Sequence, residues 1–188
     1  MRRAGVPMVF SQGFNPRPRI QFASPLPLGF TSECEIVDVW VSEDSPNLDQ
    51  IKEELCRSLP PGLVISKIYT INENEPALQT VVRSAVYLVT LLEPVQGIGD
   101  RVKSLLSELN LVRNRRGQDY NLRPLIKSLE LVPALENEYQ QIRMELSAQE
   151  GRTGRPEEVL AALGISAEKV LIKRERLVFE SNNRNHSW

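Results

Sequence analysis

The chain is poor in the residues that build reactive centres. Of its 188 residues, one is histidine and two are cysteine. His186 stands in a polar tail, which leaves no Cys–His pair to expect, and without a CxxC the usual zinc spacings are excluded. No serine lies in a GxSxG elbow, and no glycine loop ends in GK[ST]. Cys34 and Cys56 fall in an expected strand and an expected helix, where two thiols read as small hydrophobes of a reduced, cytoplasmic protein. No apolar run reaches the roughly 20 residues that span a bilayer, so no membrane contact is expected. No apolar stretch follows Met1-Arg2-Arg3, so export is not expected. Aromatics make up 6% of the chain, and the paired aromatic signature of RNA-recognition sheets is missing. No cofactor, no metal and no catalytic set follow from this inventory.

What is present is a core and an uneven charge. A hydrophobic share of 41% with 25% charged residues fits a folded protein of one domain or two small ones. The formal net charge is only −1. Residues 1–32 nevertheless carry Arg2, Arg3, Arg17 and Arg19 and no carboxylate. Residues 33–54 reverse the sign, with Glu33, Glu35, Asp38, Glu43, Asp44, Asp49, Glu53 and Glu54 against Lys52. A second basic cluster follows at Arg113, Arg115, Arg116, Arg123 and Lys127, with Asp119 inside it. A near-neutral total therefore hides basic and acidic faces.

The most unusual stretch is Ser11 to Gly29, SQGFNPRPRIQFASPLPLG. Pro16, Pro18, Pro25 and Pro27 fix φ and remove backbone donors, and each pushes the residue before it to an extended form. Between them Arg19-Ile20-Gln21-Phe22-Ala23 alternates like a half-buried strand. The stretch reads as an extended ribbon at a sheet edge that presents Asn15, Arg17 and Arg19.

In chain order, MRRAG reads as the last turn of a helix with Gly5 as its cap. Strands are expected at Val6–Phe10 and Glu35–Val41. A helix to Leu59 is expected with Ser45 as N-cap and Pro46 at its first position, then a strand at Leu63–Ile71. After NENEP come a strand over Ala77–Leu92, a helix over Asp100–Leu109 and a turn at Gly117-Gln118. Strands at Leu125–Val132 and Tyr139–Ala148, a helix at Pro156–Leu163 and a strand at Val170–Phe179 complete the pattern.

The fold class expected is α+β: two tandem ferredoxin-like (βαββαβ) units with antiparallel sheets, the first lacking its initial strand and most of its first helix. The expected boundaries are 1–73 for the shortened unit, 74–180 for the complete one and 181–188 for a disordered tail.

Three stretches carry a resemblance: FSQGFNPRPRIQFASPLPLGFTSECEIVDV (Phe10–Val39), DYNLRPLI (Asp119–Ile126) and GRTGRPEEVLAALG (Gly151–Gly164). Together they resemble an uncharacterised bacterial domain family linked to B12-binding radical-SAM proteins, beside which or behind which the domain is found. The resemblance implies a radical-SAM protein as partner. It supplies no catalytic residues, and it implies a strand and a helix ahead of the RRAG point.

Three groups are candidate sites. Asn15, Arg17 and Arg19 on a stiff backbone suit phosphate or nucleic-acid contact, or serve as an edge guard. Arg113, Arg115, Arg116 and Arg123 suggest a basic surface, with Phe14, Tyr120 and Phe22 near enough to stack bases, or else a solvated loop. Arg152, Thr153, Gly154 and Arg155 precede a helix start, where free amides attract an anion, or form a tight turn. The function expected is a noncatalytic substrate-recognition module of a radical-SAM system that binds structured RNA such as tRNA or rRNA. The alternatives are a protein-interaction domain docking a radical-SAM partner and an RNA-modifying or RNA-processing enzyme.

Overall fold

The computed structural model describes residues 1–42, 46–133 and 139–180. The tail expected to be disordered, 181–188, lies outside the described residues, as does Ser45. The described part is a mixed α and β structure with four α-helices and several antiparallel or mixed sheets.

A 3-10 turn at Arg2–Ala4 ends at Gly5, whose φ of 65° suits the glycine cap expected there. The elements that follow are β1 (Ile20–Phe22), β2 (Thr31–Ser32), β3 (Val37–Val39), α1 (Leu48–Ser58), α2 (Leu78–Val81) and β4 (Val82–Leu91). Next come α3 (Ile98–Ser107), β5 (Val112–Arg115), β6 (Gln118–Asn121), β7 (Ile126–Val132) and β8 (Gln141–Gln149). The chain closes with β9 (Arg152–Thr153), α4 (Pro156–Ala162) and β10 (Val170–Phe179).

The main sheet runs β2-β10-β4-β8-β7, with β9 paired to β8. Its four long strands are antiparallel to their neighbours, and β2 adds in parallel to β10. Residues 82–179 thus follow the expected β-α-β-β-α-β order, with the β5–β6 hairpin inserted before β7. The β-branched run of β4 is buried along most of its length, as the central strand of a sheet should be. Val102 and Leu105 of α3 and Val159 and Leu160 of α4 pack on one sheet face with Ala85, Val89, Ile142, Met144 and Ile172. The opposite face carries charged pairs, Arg143 bonded to Glu175 at 3.1 Å and Lys127 3.8 Å from Glu145, around Val86 and Leu88.

The N-terminal part departs from expectation. The strand expected over Leu63–Ile71 does not form. That segment is held by side chains instead: Ile65 and Ile68 join Ala4, Val6 and Leu55 in a small second core, and Lys52 Nζ donates to the Ser66 carbonyl. Leu63 and Val64 are left exposed. Ala23, Phe30, Cys34 and Ile36 pack against the main core, so this part shares hydrophobic surface with the large sheet. The N-cap of α1 is Asn47, whose side chain accepts from Gln50 N, in place of the expected Ser45. The hairpin turn of β5–β6 is Arg116-Gly117, one residue earlier than expected; both residues take positive φ, as a two-residue hairpin turn demands.

Candidate nucleic-acid interface

The proline ribbon becomes a braced hairpin. Phe10 and Pro18 form an antiparallel bridge. Above it, Ser11 N donates to the Arg17 carbonyl at 2.7 Å, and Arg17 N donates back to Ser11 Oγ at 3.0 Å. Residues 12–16 form the exposed tip, where Gly13 takes φ 132° and Phe14 is wholly exposed. Pro16 and Pro18 cannot donate to a ladder, and here nothing asks them to.

Below the bridge, three segments converge. Val9 N donates to the Trp40 carbonyl, Trp40 N to the Arg19 carbonyl, and Arg19 N to the Val9 carbonyl, at 2.8, 3.1 and 2.8 Å. The three bonds close a ring. The Arg19 guanidinium lies 4.6 Å from the centre of the Trp40 ring, a cation–π contact that fixes the head of an exposed side chain. Arg17 and Asn15 are exposed on the same hairpin. Asn15, Arg17 and Arg19 therefore all stand exposed on one braced hairpin.

The second arginine group does not form one surface. Arg115 lies inside a contact of its own: Nε and Nη2 donate to the Glu158 carboxylate at 3.1 and 2.6 Å, and Nη1 to the Thr153 carbonyl at 3.2 Å. Its guanidinium stacks 4.7 Å from the centre of the Tyr120 ring. Burial raises the Glu158 carboxyl, but hydrogen bonds from Arg115 and Tyr120 outweigh it and hold the group below the usual carboxylate range. Burial, together with the bonded Glu158 carboxylate, pushes the Tyr120 phenol up to about 12. Tyr120 is thus engaged by Arg115 and Glu158, whereas Phe14 and Phe22 stand exposed on the N-terminal arm. Arg123 donates from Nε and Nη2 to the Leu106 carbonyl and from Nη1 to the Ile126 carbonyl, closing the end of α3. Arg113 bonds the carbonyl of Val112, and Arg116 stands exposed at the hairpin turn.

The third group lies on a tight turn. Thr153 Oγ1 donates to the Gln149 carbonyl, and Gly154 N donates to the Ser147 carbonyl. A Cβ on Gly154 would stand 3.2 Å from the Leu125 carbonyl oxygen and from Leu146 Cβ. The first turn of α4 carries Glu157 and Glu158. Arg152 and Arg155 are exposed. Among the described residues no cluster of three or more His, Cys, Asp or Glu side chains could hold a metal ion.

Sequence reasoning missed the residue that seats the arm. Arg174, on β10, is fully buried. Its Nη1 and Nη2 donate to the carbonyls of Ser24 and Pro25 at 3.3 and 2.7 Å, and Nη1 lies 3.5 Å from Glu35 Oε1. Its own carbonyl accepts from Glu33 N, and the Cys34 thiol lies 3.7 Å from it. Burial pushes the Cys34 thiol and the Tyr87 phenol above their ordinary values, and the Arg174 charge works against both shifts. The signal was available in the alternation of VLIKRERLVF: Val170, Ile172 and Arg174 share one strand face, and that face is the buried one.

The sequence pattern of a family described as uncharacterized proteins conserved in bacteria (DUF2344) matches residues 1–156. The chain belongs to this family. The match includes the whole arm and the inserted hairpin and reaches the first residue of α4. No curated protein and no solved structure matches the chain.

Proposed function

We propose that this DUF2344 chain is a noncatalytic recognition module of a radical-SAM system, and that it binds structured RNA such as tRNA or rRNA. The observation that carries the reading is the arm: a braced hairpin holds Asn15, Arg17 and Arg19 at the surface, in a region of 32 residues without one carboxylate. A guanidinium on a stiff backbone loses little freedom on gripping a phosphate. Arg115 and Arg123 are committed to internal contacts and Arg113 is half-buried with a bond to the Val112 carbonyl, which concentrates the expected phosphate grip on the arm, with Arg116 as a further exposed cation. In this reading residues 74–180 form a ferredoxin-like platform, supported by the β10-β4-β8-β7 order, and residues 1–73 carry the arm and add β2 to the edge of that sheet. The radical-SAM partner rests on the resemblance of the three motifs.

Labelled tRNA or rRNA fragments should bind with an affinity that falls steeply as salt rises. Arg17→Ala with Arg19→Ala should lower the slope of log K against log salt by roughly 1–2, about one unit per phosphate contact. Salt-insensitive or absent binding, unchanged by the double substitution, would sink the proposal.

A second reading is favoured by a different surface. Leu63 and Val64 are exposed on an extended segment without a strand partner, beside α1 with its Asp49, Glu53 and Glu54. That combination suits docking of a protein. Co-purification with a radical-SAM protein that survives nuclease and is lost in Val64→Asp would favour it.

A further inference from the structure

Phe14 is the feature that the phosphate grip leaves unexplained. Its ring is 100% exposed at the end of a hairpin braced by two Ser11–Arg17 bonds and by the ring of bonds through Val9, Arg19 and Trp40. A rigid stem that ends in a solvated aromatic gains nothing for its own fold, since the ring touches no core. On binding, the same ring would bury a large apolar face at little entropic cost, because the backbone beneath it is already ordered. Charge narrows the class of partner. No carboxylate lies within residues 1–32, Arg17 follows the tip directly, Arg19 stands lower on the same strand over Trp40, and Asn15 adjoins Phe14 in the chain. A flat apolar face on a hairpin that also carries exposed arginines complements a nucleobase attached to phosphates. Bases within a duplex stack on one another and offer no free face, so the ring suits only a base that is unpaired.

We infer that Phe14 stacks on an unpaired nucleobase, so that the arm takes single-stranded or loop RNA while Arg17 and Arg19 hold the phosphates beside it. The inference rests on the RNA reading given above. It is tested with the whole chain and two fluorescently labelled RNA probes, a single-stranded oligonucleotide and a duplex of the same sequence. The single strand should bind more tightly. Phe14→Ala should weaken the single strand about five- to a hundredfold while leaving the duplex and the salt slope unchanged. Phe14→Trp should restore affinity, and its added emission should fall as single strand is titrated in. Because the ring is fully exposed, neither substitution touches the core, and unchanged thermal melting checks this. Equal binding of both probes, or a Phe14→Ala effect shared by both, overturns the stacking role and leaves RNA binding standing. No salt-sensitive binding of either probe overturns the RNA reading and the stacking role with it. Nuclease-resistant capture of a protein that is lost in Phe14→Ala, with no RNA bound, also overturns it.

Discussion

Arg174 Nη2 donates to the carbonyl oxygen of Pro25 at 2.7 Å, across 149 positions of the chain. A fully buried guanidinium on the main sheet thereby holds the proline ribbon by its backbone. The bonds ignore the side chains of Ser24 and Pro25, so the contact asks only that the bend at Ala23–Ser24 turn these two carbonyls toward the guanidinium. Proline at 25 lacks an N–H to donate but keeps its carbonyl free to accept.

Removing that guanidinium leaves a void on a buried strand face and takes the partner from two carbonyls and from the partly exposed Glu35 carboxylate, which water can reach. Arg174→Ala should cost about 1.5–3 kcal/mol in urea unfolding, the range for losing hydrogen bonds to a charged group, since Glu35 stays partly solvated. The arm should also lift locally, and the Cys34 thiol, now half-buried, should alkylate faster than in the parent. An unchanged unfolding midpoint with unchanged Cys34 reactivity would show that the guanidinium does not seat the arm.

Glu158, Arg115 and Tyr120 set a pH dependence whose sign follows from their shifts. The Glu158 carboxyl is lowered in the fold, so its contribution is present above the unfolded value of about 4.3 and is lost as pH falls through the folded one. Tyr120 is raised to about 12, so its contribution is present below the unfolded value of about 10 and is lost as pH climbs toward 12. Glu158→Gln should lower stability at pH 7 by about 1–3 kcal/mol and flatten the acid limb. Tyr120→Phe should flatten the alkaline limb. Unfolding curves at pH 3, 7 and 11 decide it, and limbs unaltered by the two substitutions would refute the coupling.

Gly154 separates packing from anion binding. Its φ is ordinary, but an added Cβ meets Leu125 and Leu146 at 3.2 Å. Gly154→Ala should therefore cost about 1–3 kcal/mol by overpacking. Added phosphate should not restore the melting temperature of the variant preferentially. A variant as stable as the parent in buffer without phosphate would count against the packing role.

Much of the large sheet was legible because its strands and helices obey their own periods. The β-branched run of β4, the alternation of β8 and the Pro156 start of α4 are local signals, and tertiary packing agreed with them. Leu63–Ile71 alternates just as well, yet it makes no ladder. Ladder formation needs an available edge, and its side chains Ile65 and Ile68 found the α1 core instead. The site divides in the same way. Arginine clustering in sequence pointed to Arg17 and Arg19, which remain at the surface. It pointed equally to Arg115 and Arg123, whose partners Glu158 and Leu106 come from other elements. Sequence proximity records charge, but whether a charge is spent internally depends on what the fold brings to it.

The parallel pairing of β2 with β10 has a consequence in time. A ribosome releases residues 31–32 long before residues 173–174, the partners they meet in the sheet. Until β10 emerges, the Pro-rich arm has neither its edge nor its guanidinium anchor. Because such distant pairings close late, the arm is expected to be among the last parts to seat, although it is made well before β10. During that interval Ala23, Phe30, Cys34 and Ile36, which later face the main core, stand uncovered, so the unfinished chain is expected to offer chaperones an apolar segment that the finished protein covers.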